Sequence, residues 1–218
     1  MKKRKIILFL MLTALLFSFG CGKKETVTTV TESKSVVQTE EVKDKPVEKV
    51  QEAEGETDKY LTDPVPEGKP VPVEPQEAVV EKEVLECTIS ISCATILNNM
   101  DQLDPAKTGL VPADGWILKA KKVTVRKGES VFDVLQRVCR EEKIHMEYMD
   151  TPIYNSAYIE GIHNLYEFDA GPLSGWMYRV NGWFPNYGCS RYQLQNGDVI
   201  EWVYTCDLGS DVGRSVDG

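Results

Sequence analysis

The chain has 218 residues and a formal net charge of −9, but neither figure is spread evenly along it. Residues 1–21 carry four Lys and Arg and no acid, residues 22–83 carry nine basic and sixteen acidic residues, and residues 84–218 carry twelve and eighteen. All four Trp and eight of the nine Tyr lie beyond residue 83, so only the last 135 residues can bury a sizeable core; with no basic stripe anywhere, nucleic-acid binding by phosphate neutralisation is excluded.

Lys2, Lys3, Arg4 and Lys5 precede an apolar run from Ile6 to Phe19. This is the n-region and h-region of an export signal, and a run of fourteen residues, apolar but for Thr13 and Ser18, is too short to span a bilayer as a helix. The run ends Leu16-Phe17-Ser18-Phe19-Gly20-Cys21, which resembles a bacterial lipobox, with Ser18 where a Leu is usual. The resemblance implies cleavage before Cys21, lipidation of that residue, and a chain anchored on the outer face of a cell membrane; two or more acyl chains give the stable anchoring that one does not. An ordinary signal cut near Gly20, or an uncleaved anchor, with Cys21 incidental in either case, is the alternative.

Residues 22–83 are built from Glu, Lys, Val, Thr and Pro with a single aromatic, Tyr60, a composition that cannot bury enough apolar surface to offset the entropy of ordering. An acidic, disordered tether is expected there, extended as polyproline II through the closely spaced prolines of residues 63–75.

At Val84 the pattern changes. Leu85, Cys87, Ile89, Ile91 and Cys93 alternate with polar residues, the period of a strand with one buried face. A helical turn follows near residues 94–100, then extended pieces at 116–118 and 123–126. Ser130-x-x-Asp133 has the form of a capping box, and Val131, Val134, Leu135, Val138 and Cys139 recur at helical spacing, so a helix of about thirteen residues begins here. Residues 144–148 and 176–180 read as extended. Asn181-Gly182 and Asn196-Gly197 are tight-turn signals, the second leading into a strand over 199–205. The order of elements predicts an α+β fold: a mixed sheet with one packed helix, preceded by the tether.

The run Gly175-Trp176-Met177-Tyr178-Arg179-Val180-Asn181-Gly182-Trp183-Phe184-Pro185-Asn186-Tyr187-Gly188-Cys189-Ser190-Arg191-Tyr192, continuing to Asn196-Gly197-Asp198-Val199-Ile200-Glu201-Trp202, resembles the transcobalamin-like C-terminal domain, a bacterial family of unknown function. Gly128-Glu129-Ser130-Val131 resembles that family's helix start, and the match covers about residues 84–207. The resemblance implies a β-grasp-like fold over residues 84–218 and kinship with the cobalamin-capping domain of the vitamin's eukaryotic carriers. In those carriers the vitamin lies between this domain and a helical barrel, which these 135 residues do not supply. Cobalamin or another corrinoid is therefore a candidate ligand rather than a required cofactor.

Eight of the domain's fifteen aromatic residues fall between Trp176 and Tyr204. Trp176 and Tyr178 share a strand face, whereas Trp183, Phe184 and Tyr187, with Tyr192 beyond them, follow a tight turn. These six form the expected binding edge, suited to a planar ligand, a glycan or a partner protein. Five cysteines remain after Cys21, and an exported chain permits disulfides; fifteen pairings with two bridges are open, Cys93 with Cys206 or Cys139 being the first expected from a β-grasp arrangement, and buried reduced thiols are the equal alternative. No Cys-x-x-Cys pair points to a metal. His145 and His163 accompany no nucleophile motif, so a non-enzymatic surface module is expected, binding either a corrinoid or a protein or cell-wall glycan.

Overall fold

The computed structural model describes residues 57–214. The export signal, Cys21 and the tether as far as residue 56 lie outside the described residues. The main sheet is built from β1 (Val84–Ser92), β2 (Trp116–Arg126), β6 (Gly175–Val180) and β7 (Val199–Thr205), in the order β2-β1-β7-β6. β1 pairs antiparallel with β2, and β6 antiparallel with β7, while the central pair β1 and β7 runs parallel, with Thr88 opposite Val199 and Ser92 opposite Val203. A smaller sheet holds β3 (Met146–Thr151), β4 (Ser156–Ile162) and β5 (Leu165–Tyr166) in that order. Both sheets are open, and the fold is α+β with one main helix, α1 (Val131–Glu142).

The helix begins where the side chains demand it. Ser130 Oγ accepts from the Asp133 amide at 3.2 Å and the Asp133 carboxylate accepts from the Ser130 amide at 2.8 Å, a complete capping box. Each residue expected on the apolar stripe, Val131, Val134, Leu135, Val138 and Cys139, is buried. That stripe packs on Leu85, Cys87, Ile89 and Ile91 of β1, Val123 and Val125 of β2, and Ile200 and Trp202 of β7, forming the main core. A second, smaller core gathers Cys93, Ile96, Leu103, Leu165, Ala170 and Tyr204.

Three expectations are corrected. The two extended pieces expected at 116–118 and 123–126 are one eleven-residue strand; Lys119, Ala120, Lys121 and Lys122 are exposed because β2 is a sheet edge, where lysines keep other strands away. The small sheet gave no signal beyond residues 144–148, since β3 buries neither face and so carries no alternation. The tether expected up to residue 83 is not free over its described part. Residues 58–82 form a strap laid across the domain, held by hydrogen bonds from Val73 to the Arg191 carbonyl at 2.9 Å and from Glu81 to the Lys127 carbonyl at 2.9 Å. Composition predicts no core of its own for this segment, and it has none; it borrows partners from residues 127–191.

Among the described residues, Cys87, Cys93, Cys139, Cys189 and Cys206 are all free thiols, so the bridges expected from Cys93 to Cys206 or Cys139 are absent. Cys139 packs in the main core under α1, whereas Cys93 and Cys206 belong to the smaller core around Tyr204, which separates the two candidate partners. No helix among the described residues is long and apolar enough to cross a membrane.

Candidate functional site

The aromatic edge is built on two Asn-Gly turns. At the first, Asn181 and Gly182 have φ of 52° and 77°, the left-handed pair of a tight hairpin turn, and Val180 and Trp183 exchange both backbone hydrogen bonds at 2.9 and 3.0 Å. The Asn181 side chain ties this turn to the second one: its Oδ1 accepts from the Val199 amide at 2.9 Å and its Nδ2 donates to Asp198 at 2.8 Å. Beyond the turn the chain forms an irregular loop rather than a strand. The loop caps α1, whose first amides, Val131 and Phe132, donate to the carbonyls of Tyr192 and Cys189. It also lies against β4 so closely that a Cβ on Gly188 would meet Ser156 Oγ at 1.9 Å.

These elements bring five of the six expected binding residues together. Trp176, Tyr178, Trp183, Phe184 and Tyr187 line one cleft of about 680 Å³. Trp176 donates from Nε1 to the Leu165 carbonyl at 2.8 Å, and Tyr178 donates its hydroxyl to the Tyr187 carbonyl at 2.7 Å, so both rings are fixed. Burial pushes the Tyr178 phenol well above its ordinary value, so it stays a neutral donor at any physiological pH. Arg179 is clamped to Glu201 by two hydrogen bonds, at 2.7 and 2.8 Å, and lays its guanidinium 5.7 Å from the centre of the Phe184 ring.

The sixth residue, Tyr192, does not line this cleft; with Trp183 it borders a neighbouring one of about 460 Å³. It is only 2 % exposed, stacks on Tyr187 at 6.2 Å between ring centres and belongs to the core. Tyr187 also differs from expectation: it lines the cleft, yet it is 7 % exposed because the strap lies over it, its hydroxyl donating to the Pro70 carbonyl at 2.6 Å. The free loop imagined from the sequence is thus half wall and half core.

Sequence reasoning missed the polar part of the site. Arg191 is 1 % exposed, and its guanidinium meets Asp58 at 2.7 Å, Glu74 at 2.8 Å and the Thr62 hydroxyl at 2.6 Å. It also lies 5.2 Å from the centre of the Tyr60 ring. Every partner comes from the strap, more than a hundred positions earlier in the chain, and no short-range pattern reports such a pairing. Burial alone would raise the Asp58 carboxyl, but hydrogen bonds from the Thr62 amide, Arg191 and the Tyr60 amide together hold it below its ordinary value of 3.8. Strap residues Tyr60, Leu61, Thr62, Asp63, Pro64 and Pro66 form the outer wall of the cleft. Of the buried side-chain polar atoms without a partner among the described residues, Asn186 Oδ1 and Arg191 Nε both belong to cleft-lining residues.

Four of the five described thiols are held protonated. Burial pushes Cys87 and Cys93 up to about 11 and Cys139 and Cys189 up to about 12, leaving each protonated at neutral pH. His145 and His163 are outside the cleft lining.

Residues 128–206 match a family described as a domain of unknown function (DUF4430). No curated protein matches the chain. Among solved structures, haptocorrin in complex with Cbi is similar at 14 % identity and a TM-score of 0.43; the match takes in 60 % of this chain and 27 % of that one. A protein from Ruminococcus gnavus ATCC 29149, named as a candidate metal binder, is similar at 12 % identity and a TM-score of 0.34, over 56 % of this chain and 96 % of that one. The chain therefore spans about a quarter of the haptocorrin structure that it resembles. Among its own described residues, three or more His, Cys, Asp or Glu side chains are nowhere gathered as a metal ion would need.

Proposed function

We propose that this chain is a non-enzymatic binding module, anchored through lipidated Cys21 on the outer face of a cell membrane, that recognises its ligand through the aromatic cleft. One observation carries the reading: Trp176, Tyr178, Trp183, Phe184 and Tyr187, drawn from β6 and the loop after it, converge on a single cleft. Rigid aromatic walls bind planar or amphipathic ligands at low entropic cost, because their side chains are already held by hydrogen bonds and stacking. A corrinoid is the finer proposal within this reading. It comes from the resemblance of residues 175–202 to the transcobalamin-like domain, and a cleft of about 680 Å³ falls in the range of small-molecule sites.

The test is calorimetric titration of the full chain, in detergent, with cobalamin and cobinamide. Saturable one-to-one binding is expected, weakened at least tenfold by Trp183→Ala or Phe184→Ala. An absence of heat at high micromolar ligand would remove the vitamin as a ligand of this chain. A second reading is an adhesion or assembly module that binds protein or cell-wall glycan. What favours a protein partner is the strap itself, a peptide already seated on the aromatic edge.

A further inference from the structure

The strap is bound in the manner of a peptide ligand rather than packed like a core element. Leu61, Asp63, Pro64, Pro66, Glu67, Gly68, Lys69 and Val71 are exposed, so little apolar surface holds it. What holds it is a short set of anchors along a backbone whose extended stretches are joined by turns at residues 59–60, 67–68 and 75–77. Asn186 Nδ2 donates to the carbonyls of Asp63 and Pro64 at 3.0 and 3.4 Å, and Tyr187 donates to the Pro70 carbonyl. The Val73 amide donates to the Arg191 carbonyl, and the Lys69 ammonium sits 5.4 Å from the centre of the Trp183 ring. Pro64, Pro66, Pro70, Pro72 and Pro75 keep the segment extended before it docks, which lowers the entropy lost on binding. Contacts to carbonyls read the course of a backbone and are tolerant of its side chains. Selectivity falls to two carboxylates, Asp58 and Glu74, which close on one guanidinium.

That guanidinium explains why the groove needs an acidic occupant. Arg191 is buried, whereas its two partners keep 27 % and 14 % of their side chains in contact with solvent. If the strap leaves, its carboxylates regain water, and the guanidinium loses both counter-charges together with the residues that cover it. A segment of the same chemistry restores both ion pairs when it replaces the strap.

We propose that the groove edged by Trp183, Asn186, Tyr187 and Arg191 is a recognition site for a proline-containing acidic peptide of a partner protein, with residues 58–76 of this chain as the resident occupant. The proposal deepens the binding-module reading and rests on it in taking the loop after β6 as the recognition edge. The partner segment competes with the strap, and its affinity is set by how firmly Arg191 is already latched.

The experiment uses the full chain and a fluorescein-labelled peptide of residues 57–76, read by fluorescence anisotropy. Saturable binding is expected, at least tenfold tighter to a chain whose own strap carries Asp58→Asn and Glu74→Gln. It is expected to fall at least tenfold when those two substitutions are placed in the peptide instead. Absence of binding to both the unaltered chain and the strap variant would overturn the proposal, as would binding indifferent to the peptide's two carboxylates. Circular dichroism of the strap variant confirms that it is folded, and the peptide substitutions keep the test decisive without altering the domain. Cobinamide titration of the same samples reads the corrinoid reading separately: heat without peptide binding removes the groove, and peptide binding without heat removes the vitamin.

Discussion

At the scale of single residues, the site is governed by Arg191 and by glycines that allow close approach. Gly128 has φ of +91°, and a Cβ there would lie 2.1 Å from the Val79 carbonyl oxygen, where the end of the strap passes β2. Gly128→Ala would clash with backbone rather than a yielding side chain, so a loss of about 2 kcal/mol or more is expected in denaturant unfolding. The Asp58 carboxyl gives the strap a pH signature. Its folded value lies below 3.8, so its contribution is fully present above that pH and is lost as the pH falls through the folded value. Hydrogen exchange at the Val73 amide, corrected for intrinsic rate, should show steady protection down to about pH 4 and loss of it below. The thiols make a third case. Only Cys206, of the five described, is partly exposed, so alkylation of the native chain at pH 8 should modify it first, with the other four reacting on denaturation. Rapid native labelling of Cys87 or Cys189 would contradict the burial described above.

At the scale of elements, the helix is where local code and structure agree most closely. The capping box, the apolar stripe and the start at Val131 were all legible, because each depends on residues within one or two turns. Ser130→Ala should cost about 1 kcal/mol in thermal or denaturant unfolding, with Ser130→Asp largely restoring it. The strands of the main sheet were equally legible where apolar and polar residues alternate, as in β1, although Ser90 and Ser92 on its polar face are buried as well, or where a turn residue announces them, as at Asn196-Gly197 before β7. β3 and β4 were not. β3 exposes Glu147, Tyr148, Met149 and Asp150 in succession, so its strand state comes from pairing with β4 rather than from any pattern of its own. The strap failed to show for the complementary reason. Its composition is that of an unfolded chain, and its place comes from distant partners such as the Arg191 guanidinium, the Tyr187 hydroxyl and the Asn186 amide. The aromatic residues of the site could be read from their density after residue 175; the ion cluster behind them could not, since its members are separated by 117 and 133 positions.

At the scale of the whole molecule, one consequence follows from the parallel pair at the centre of the main sheet. β1 contributes the middle of the core, yet its neighbour β7 is made more than a hundred residues later, and antiparallel pairing with β2 leaves its other edge open until then. A chain emerging from a ribosome therefore holds a half-finished sheet until Val199–Thr205 have emerged. The strap cannot settle before that either, because Arg191 lies only eight positions before β7 begins. Assembly of this domain thus waits on one late strand, and any truncation ahead of Val199 should leave the part already made without a lasting fold.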